Sequence, residues 1–196
     1  MRDNPDTSFR RTVALVCALN LAYFGVEFAV ALAIGSVSLF ADSVDFLEDT
    51  LVNFLVLAAL GWSPKARSRT GMALACLILV PGAAALVTAA HKFLDPGVPD
   101  PFRLTWAGAG ALGVNATCAL LLARHRHRGG SLAKAAFLSA RNDVLANAAI
   151  VAAGFVTFAF RSPWPDLIVG LGIAAMNAGA AKEVWEAARE EGKAEA

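Results

Sequence analysis

The sequence predicts an all-α membrane protein, a six-transmembrane-helix bundle with its N- and C-termini in the cytoplasm. Of its 196 residues, 57% are hydrophobic and 17% are charged, whereas a soluble domain has about 45–50% apolar and about 25% charged residues. This apolar excess is too large for one buried core, which favours a membrane protein. The apolar residues fall into six stretches, and most Lys and Arg residues lie in alternate connections.

Each of the six stretches is long enough to cross a bilayer, which takes about 20 helical residues. The first is too long for the core of a signal peptide and has no obvious cleavage site, so we expect it to stay in the membrane. Pro81 should kink the third, because proline removes a helix hydrogen bond. The predicted spans are 12–34, 36–61, 71–94, 104–123, 131–160 and 163–186.

The distribution of positive charge predicts the orientation, since cytoplasmic loops carry the excess of Lys and Arg. One set of connections contains only Lys92, Arg103 and Arg161. The other set, which includes both ends of the chain, is predicted to be cytoplasmic. It contains Arg2, Arg10, Arg11, Lys65, Arg67, Arg69, Arg124, Arg126, Arg128, Lys134, Lys182, Arg189 and Lys193.

These features predict one membrane domain and little else. We assign 1–11 to a cytoplasmic N-terminal segment, 12–186 to the transmembrane domain and 187–196 to a short charged cytoplasmic tail. The net charge of +1 argues against a nucleic-acid partner, and nothing indicates a prosthetic group. The cysteines form no C-x-x-C pair and no disulfide framework, so they are interpreted as small apolar residues of helices. They are Cys17, Cys76 and Cys118.

The second span carries an acidic stripe in the run DSVDFLEDTLVN. At 100° per residue, Asp42, Asp45, Asp49 and Asn53 fall within an arc of about 80°, with Glu48 to one side. An Asp at the centre of a spanning helix costs about 2.5–3.5 kcal/mol on insertion scales. The stripe must therefore face protein or water, and its acids must be protonated, paired or metal-bound.

The fifth span carries a second polar stripe in the run FLSARNDVLANAAIV. Ser139, Asp143 and Asn147 recur every four residues and so share one face of a helix, with Asn142 beside them. The second and fifth spans run in opposite directions. Both stripes nevertheless lie near mid-span, which places them at a similar depth.

If these two helices pack together, Asp45, Asp49 and Asp143 meet at one level. Three like charges in a dry interior repel each other and lose their hydration, which a divalent cation or protons would relieve. Competition between the two is the chemistry of a metal–proton exchanger. The alternative is that the polar residues only bond helix to helix, and for Asn53 and Asn147 this stays as open as metal ligation.

Other polar positions support these stripes. Asn20, Tyr23 and Glu27 lie on one face of the first span, and Glu27 is either a proton relay or a packing partner, since an intramembrane Glu is functional by default. Asn115 and Asn177 are interpreted as interhelical hydrogen-bonding residues. The RHRHR segment is interpreted as a basic cytoplasmic loop that could at most collect metal loosely.

Three segments resemble the cation diffusion facilitator family. The end of that family's first span and the start of its second resemble GSVSLFADSVDFLED. The family's fifth span resembles ARNDVLANAAI, and its sixth span resembles WPDLIVGLGIAAMNAGAAKEVWEAARE. The resemblance covers essentially the whole chain. It is strongest in spans two, five and six, whereas spans three and four match only in general character.

The resemblance implies a site and a function. The family's intramembrane metal site takes two residues from span two and two from span five, each pair four apart. Carried over, these are Asp45, Asp49, Ser139 and Asp143. The resemblance further implies that the protein exchanges a cytoplasmic divalent cation (Zn, Cd, Co, Mn or similar) for protons by alternating access. It also implies a homodimer formed through transmembrane helices, in the bilayer of a bacterial cytoplasmic membrane.

The chain departs from the family in three places. The family commonly has His where this chain has Ser139, which leaves an all-oxygen site unless Asn142 or another residue joins it. Oxygen ligands favour harder cations such as Mn²⁺ or Mg²⁺. The cytoplasmic metal-binding domain that normally follows span six is missing from the sequence, and SPKARSRTG replaces the family's Gly- and His-bearing start of span three.

Two other functions stay open. A non-transporting metal-binding or partner membrane protein could derive from such a transporter, which the missing His and domain make plausible. A membrane-embedded enzyme is the weaker alternative. Lipid phosphotransferases need an Asp-Gly-x-x-Ala-Arg core and intramembrane aspartyl proteases need Gly-x-Gly-Asp, and the sequence contains neither string. We therefore expect a protein that is not an enzyme.

Overall fold

The described part of the chain is entirely helical outside short connections. The computed structural model describes residues 5–58, 69, 83, 85–123 and 130–193, and these contain no strand. The described residues form six helices, which are α1 (Pro5–Ile34), α2 (Val37–Ala58), α3 (Ala85–Leu94), α4 (Pro101–Ala123), α5 (Gly130–Phe160) and α6 (Trp164–Lys193). The all-α prediction is confirmed, while the six-span count and the orientation stay predictions. Cys76, Pro81 and the RHRHR segment lie outside the described residues.

Three described stretches are long and apolar enough to cross a membrane: Ser8–Ile34, Pro101–Ala123 and Asn142–Phe160. Ala85–Leu94 and Trp164–Met176 are shorter apolar helices. α2 has 22 residues, or about 33 Å, which matches the about 30 Å of a bilayer's hydrocarbon core. Its four acids set it apart from the three apolar spans.

Large apolar side chains lie on the surface and some acids lie in the interior, a combination that is unusual in a soluble bundle. Exposed positions include Leu120, Phe160 and Trp106, which are 65–76% exposed. Fully buried positions include Glu27 and Asp42, each 0% exposed. Charged residues are almost never fully buried in soluble proteins unless paired, whereas intramembrane acids face the bundle interior. The surface is therefore suited to lipid and the polar groups lie inside.

One apolar core joins all six helices near the α1–α2 turn. α1 packs against α2 and α4, α5 packs against α4, and α6 packs against α2 and α5. Gly35 forms the turn with φ of 62°, a left-handed conformation that glycine adopts without strain. The core contains Ala31, Leu39, Phe40, Ala41, Ala85, Leu104, Ala107, Ile150 and Ile173.

The N-terminus of α2 is held by an aspartate from α6. Asp166 accepts hydrogen bonds from the backbone N–H groups of Val37 (3.0 Å) and Ser38 (3.2 Å). It also accepts from the hydroxyls of Ser36 and Ser38, both at 2.6 Å. Lys92 of α3 completes the cluster with an ion pair of 2.8 Å between Nζ and Oδ2. The first turn of an α-helix leaves backbone donors unpaired, and here a distant helix pairs two of them.

α6 approaches this N-terminus closely at Gly170, one turn after Asp166. A Cβ at Gly170 would lie 2.6 Å from both the backbone N of Ser38 and the backbone carbonyl carbon of Val37. Backbone atoms in a helix cannot move aside as a side chain can. The missing side chain of Gly170 is therefore what lets the two helices touch.

We predict that Gly170→Ala lowers the free energy of unfolding by about 1–3 kcal/mol, as overpacking in a tight contact does. Gly172→Ala is the matched control, since it lies on the same helix and a Cβ there would meet nothing within 4 Å. The control should be neutral or slightly stabilising, because Ala is the better helix former. Thermal unfolding of the purified variants in the same detergent checks this, and equal effects of the two variants would contradict it.

Candidate metal site

The acidic stripe of α2 faces the interior of the bundle. Asp42 is fully buried, Asp45, Glu48 and Asp49 are half-buried, and Asn53 is buried. α2 packs against α1, α5 and α6. Other faces of this part of α2 are buried as well, so it is the hydrogen bonds of the stripe to α1 and α5 that indicate where it points.

At one end of the stripe, Asp49 is tied to α1. The side-chain amide of Asn20 donates to Oδ2 of Asp49 at 3.3 Å, and Cys118 of α4 lies 3.7 Å from the Asn20 carbonyl. Asn53 donates to the backbone carbonyl of Asp49 at 2.7 Å, within its own helix. Asn20 thus orients the Asp49 carboxyl group, while the amide of Asn53 is used by the helix backbone.

At the other end of the stripe, Asp42 is tied to α5. The side-chain amide of Asn147, which is fully buried, donates to Oδ1 of Asp42 at 2.7 Å. This is the interhelical bond that the sequence left open for Asn147. It fixes the rotation of α5 relative to α2, so that the residue one turn earlier, Asp143, faces the same space as the stripe.

Asp143 completes the set of described acids between the two helices. It is half-buried, and its charge interacts with those of Asp45, Asp49, Asp42 and Glu48. Carboxyl groups from α2 and α5 therefore gather in one region inside the bundle. Such a group of oxygens in a space with little water attracts a divalent cation or protons.

The remaining predicted residues take different positions. Ser139 lies one turn before Asp143 on α5, with its side chain outside the described part of the structure. Asn142 is exposed. Among the residues that the structure describes, no three His, Cys, Asp or Glu side chains are grouped closely enough to hold one ion. The set of Asp45, Asp49, Ser139 and Asp143 as joint ligands thus stays a prediction.

α1 contributes a polar face toward this region, at the positions that the sequence indicates. Tyr23 donates its hydroxyl to the backbone carbonyl of Ala107 in α4 at 2.6 Å, and its ring lies 5.1 Å from that of Phe46 in α2. One turn later, Glu27 is fully buried and lies beside Asp42. The face of α1 therefore joins α2 and α4 around the acids.

Sequence reasoning missed the cluster around Asp166 and Lys92. Lys92 was interpreted only as one of few positive charges on its side of the membrane, and Asp166 only as part of a matching segment. A Lys inside an apolar stretch, followed much later by a single Asp, was the available signal. It does not by itself identify a pair, since 74 residues separate the two.

Comparisons with known proteins match these observations. The model of a family described as "Cation efflux transmembrane domain" matches residues 13–190, from within α1 to within α6. The matched segment contains all the acids and amides of the candidate site. A search among curated proteins found no match.

Proposed function

The chain belongs to the cation efflux family, and we propose that it exports a cytoplasmic divalent metal cation in exchange for protons. Membership confirms the resemblance to cation diffusion facilitators, whose members are metal cation transporters rather than enzymes. One observation supports the proposed exchange of a cation for protons: the charges of Asp45 on α2 and Asp143 on α5 interact inside the bundle. A cation passing through an apolar bundle needs such a group of oxygens on its path.

The proposed cycle uses the acids in two states. A cation from the cytoplasm binds the ionised carboxylates of Asp45, Asp49 and Asp143, with the hydroxyl of Ser139 as a fourth oxygen. The helices then expose the site to the other side, where protons neutralise the carboxylates and release the cation. Two protons balance the charge of one divalent cation.

The donor set bears on which cation is carried. Carboxylate and hydroxyl oxygens favour harder cations, so Mn²⁺ is our first candidate among Zn, Cd, Co and Mn. The resemblance to the family also supports a homodimer formed through transmembrane helices. For the same reason we propose the cytoplasmic membrane of a bacterium as the location, with both termini in the cytoplasm.

A metal panel in proteoliposomes tests the proposal. The purified protein is reconstituted with a pH dye inside, and Zn²⁺, Cd²⁺, Co²⁺, Mn²⁺, Fe²⁺, Ni²⁺ or Mg²⁺ is added outside. A transported cation should drive protons outward and raise the internal pH, while protein-free liposomes show no change. We expect the largest response with Mn²⁺, and no response to any cation would contradict the proposal.

A second candidate is a membrane protein that binds metal, or a partner protein, without transport. The observation that favours it is the lack of a closed group of ligands among the described side chains. Equilibrium binding separates the two functions. Saturable binding of Mn²⁺ to the detergent-solubilised protein, together with an unchanged internal pH in proteoliposomes, would support the second candidate.

A further inference from the structure

Two buried carboxyl groups meet between α1 and α2, apart from the proposed cation ligands. Glu27 and Asp42 are both 0% exposed. The two carboxyl groups lie within hydrogen-bonding reach of each other. Asp42 precedes Asp45 by nearly one helical turn, and its other side-chain partner is Asn147, which is not a proposed ligand.

The hydrogen bonds of this pair are incomplete when both groups are ionised. Asn147 donates to one oxygen of Asp42. The other Asp42 oxygen and both oxygens of Glu27 have no donor among the described residues. Ionised carboxylates only accept hydrogen bonds, so neither group can satisfy the other, and two like charges in contact repel strongly away from water.

One proton resolves both problems. If Glu27 carries it, its O–H donates to the free oxygen of Asp42, and the charge of the pair falls from −2 to −1. The amide of Asn147 then stabilises the charge that remains on Asp42. A second proton is not required, because Asp42 already has a donor on each oxygen.

Among the residues that the structure describes, none competes as a partner for this pair. The titratable groups around the pair are the phenol of Tyr23 on α1, the carboxyl of Asp45 on α2 and that of Asp143 on α5. The Tyr23 hydroxyl is committed to Ala107 of α4, and Asp166 of α6 is committed to the start of α2. The described residues of α1, α2, α4, α5 and α6 thus bring no positive charge to the pair.

We propose that Glu27 and Asp42 share one proton in a hydrogen bond between α1 and α2, and form a proton-binding site distinct from the cation site. This proton is in addition to those that replace the cation on Asp45, Asp49 and Asp143. The proposal is based on the contact between two fully buried carboxyl groups, since three of their four oxygens lack a donor among the described residues.

The pair is linked to the cation site by charge, a step that rests on the proposed function. A divalent cation near Asp45 adds positive charge close to Glu27 and Asp42, which favours loss of their shared proton to water. Linkage is reciprocal, so the shared proton also weakens cation binding. The site therefore makes cation affinity depend on pH beyond what the ligands alone require.

Infrared spectroscopy of the metal-free protein at pH 7 tests the shared proton directly. Glu27→Gln and Asp42→Asn are isosteric, and each introduces an amide that can donate to the remaining carboxylate, so both should fold. We expect each variant to lose the C=O band of one protonated carboxylic acid relative to wild type. The double variant should lose no more than either single variant, because the two residues share one proton.

The infrared measurement has a matched control variant. Glu186→Gln, at an exposed Glu that is ion-paired with Lys182, should leave the band unchanged. Loss of two acids in the double variant would mean that each group holds its own proton, and no loss would mean that neither does. Either result overturns the proposal. If one single variant unfolds, the other one still decides whether the pair holds a proton at all, and the double variant decides whether it holds one or two.

A separate experiment tests the linkage between the shared proton and cation binding. Calorimetric titration with Mn²⁺ in two buffers of different ionisation enthalpy counts the protons released per cation bound. We expect wild type and Glu186→Gln to release up to one proton more than Glu27→Gln, and equal numbers would overturn the linkage. Should wild type bind no Mn²⁺, the titration uses the cation that gives the largest response in proteoliposomes. Should wild type bind no cation of the panel, the proposed function fails, while the infrared result still decides the shared proton.

Discussion

Asp45→Asn and Asp143→Asn are each expected to reduce cation-driven proton flux in proteoliposomes at least about 100-fold. Even the loss of an outer-shell partner costs a metal site about 10–100-fold, and both residues are proposed direct ligands. Asn has the shape of Asp without its charge. The substitution therefore leaves helix packing in place while removing the anion that binds the cation and later takes up a proton.

The position of the two residues sharpens this expectation. Asp45 and Asp143 come from different helices, and their charges interact across the contact between α2 and α5. Removing Asp45 leaves one proposed carboxylate ligand on each helix, and removing Asp143 leaves α5 with none. The flux assay that uses the internal pH dye, run with equal amounts of reconstituted protein, measures the loss.

Glu48→Gln is the matched control on the same helix. Glu48 is half-buried and its charge also interacts with Asp143, but it lies beside the stripe. If the acids act as individual ligands, the control should keep most of the flux. An equal loss in all three variants would indicate a general effect of negative charge. Wild-type flux in Asp45→Asn and Asp143→Asn would remove both from the site.

The common face of the α2 acids could be predicted because it depends only on helical geometry. Residues spaced by three and four share a face, and an acidic face within an apolar chain has to point inward. The shared depth of Asp45 and Asp143 followed in the same way from two antiparallel spans. The contact of Asn147 with Asp42 then shows how the polar stripe of α5 is used. Asn147 positions α5 against α2, and Asp143, one turn earlier, faces the acids of α2.

The helix ends could be predicted less well, because hydropathy finds the apolar part of a helix and not its polar extension. α1 begins at Pro5, seven residues before the predicted span, since proline fits the first turn of a helix. α6 continues to Lys193, well past the predicted end at 186. The extension is rich in Ala, Glu and Arg, which are strong helix formers.

The support of the α2 N-terminus could not be predicted, because its cap comes from a distant part of the chain. An N-cap usually precedes its helix directly and leaves a local signal. Ser36 holds that local position, and its hydroxyl accepts from the N–H of Leu39 at 3.2 Å. The larger contribution comes from Asp166, which lies 128 residues after Ser38, and no spacing rule connects the two.

Asp166→Ala is expected to lower the free energy of unfolding by about 3–5 kcal/mol, the cost of breaking a buried ion pair by removing one partner. Lys92, only 8% exposed, would keep a buried charge with no counterion. The hydroxyls of Ser36 and Ser38 and the N–H of Val37 would lose an acceptor in the same step. Thermal or denaturant unfolding in detergent measures the effect.

Asp100→Ala is the matched control, because Asp100 caps α4 locally. It accepts from the N–H groups of Phe102 (2.9 Å) and Arg103 (3.0 Å) at an exposed position, and loss of such a cap costs about 0.5–2 kcal/mol. Lys92→Met in the Asp166→Ala background should recover part of the lost stability, because it removes the unpaired charge. If Asp166→Ala costs no more than Asp100→Ala, or if Lys92→Met brings no recovery, the buried ion pair is not what holds α2 to α3 and α6.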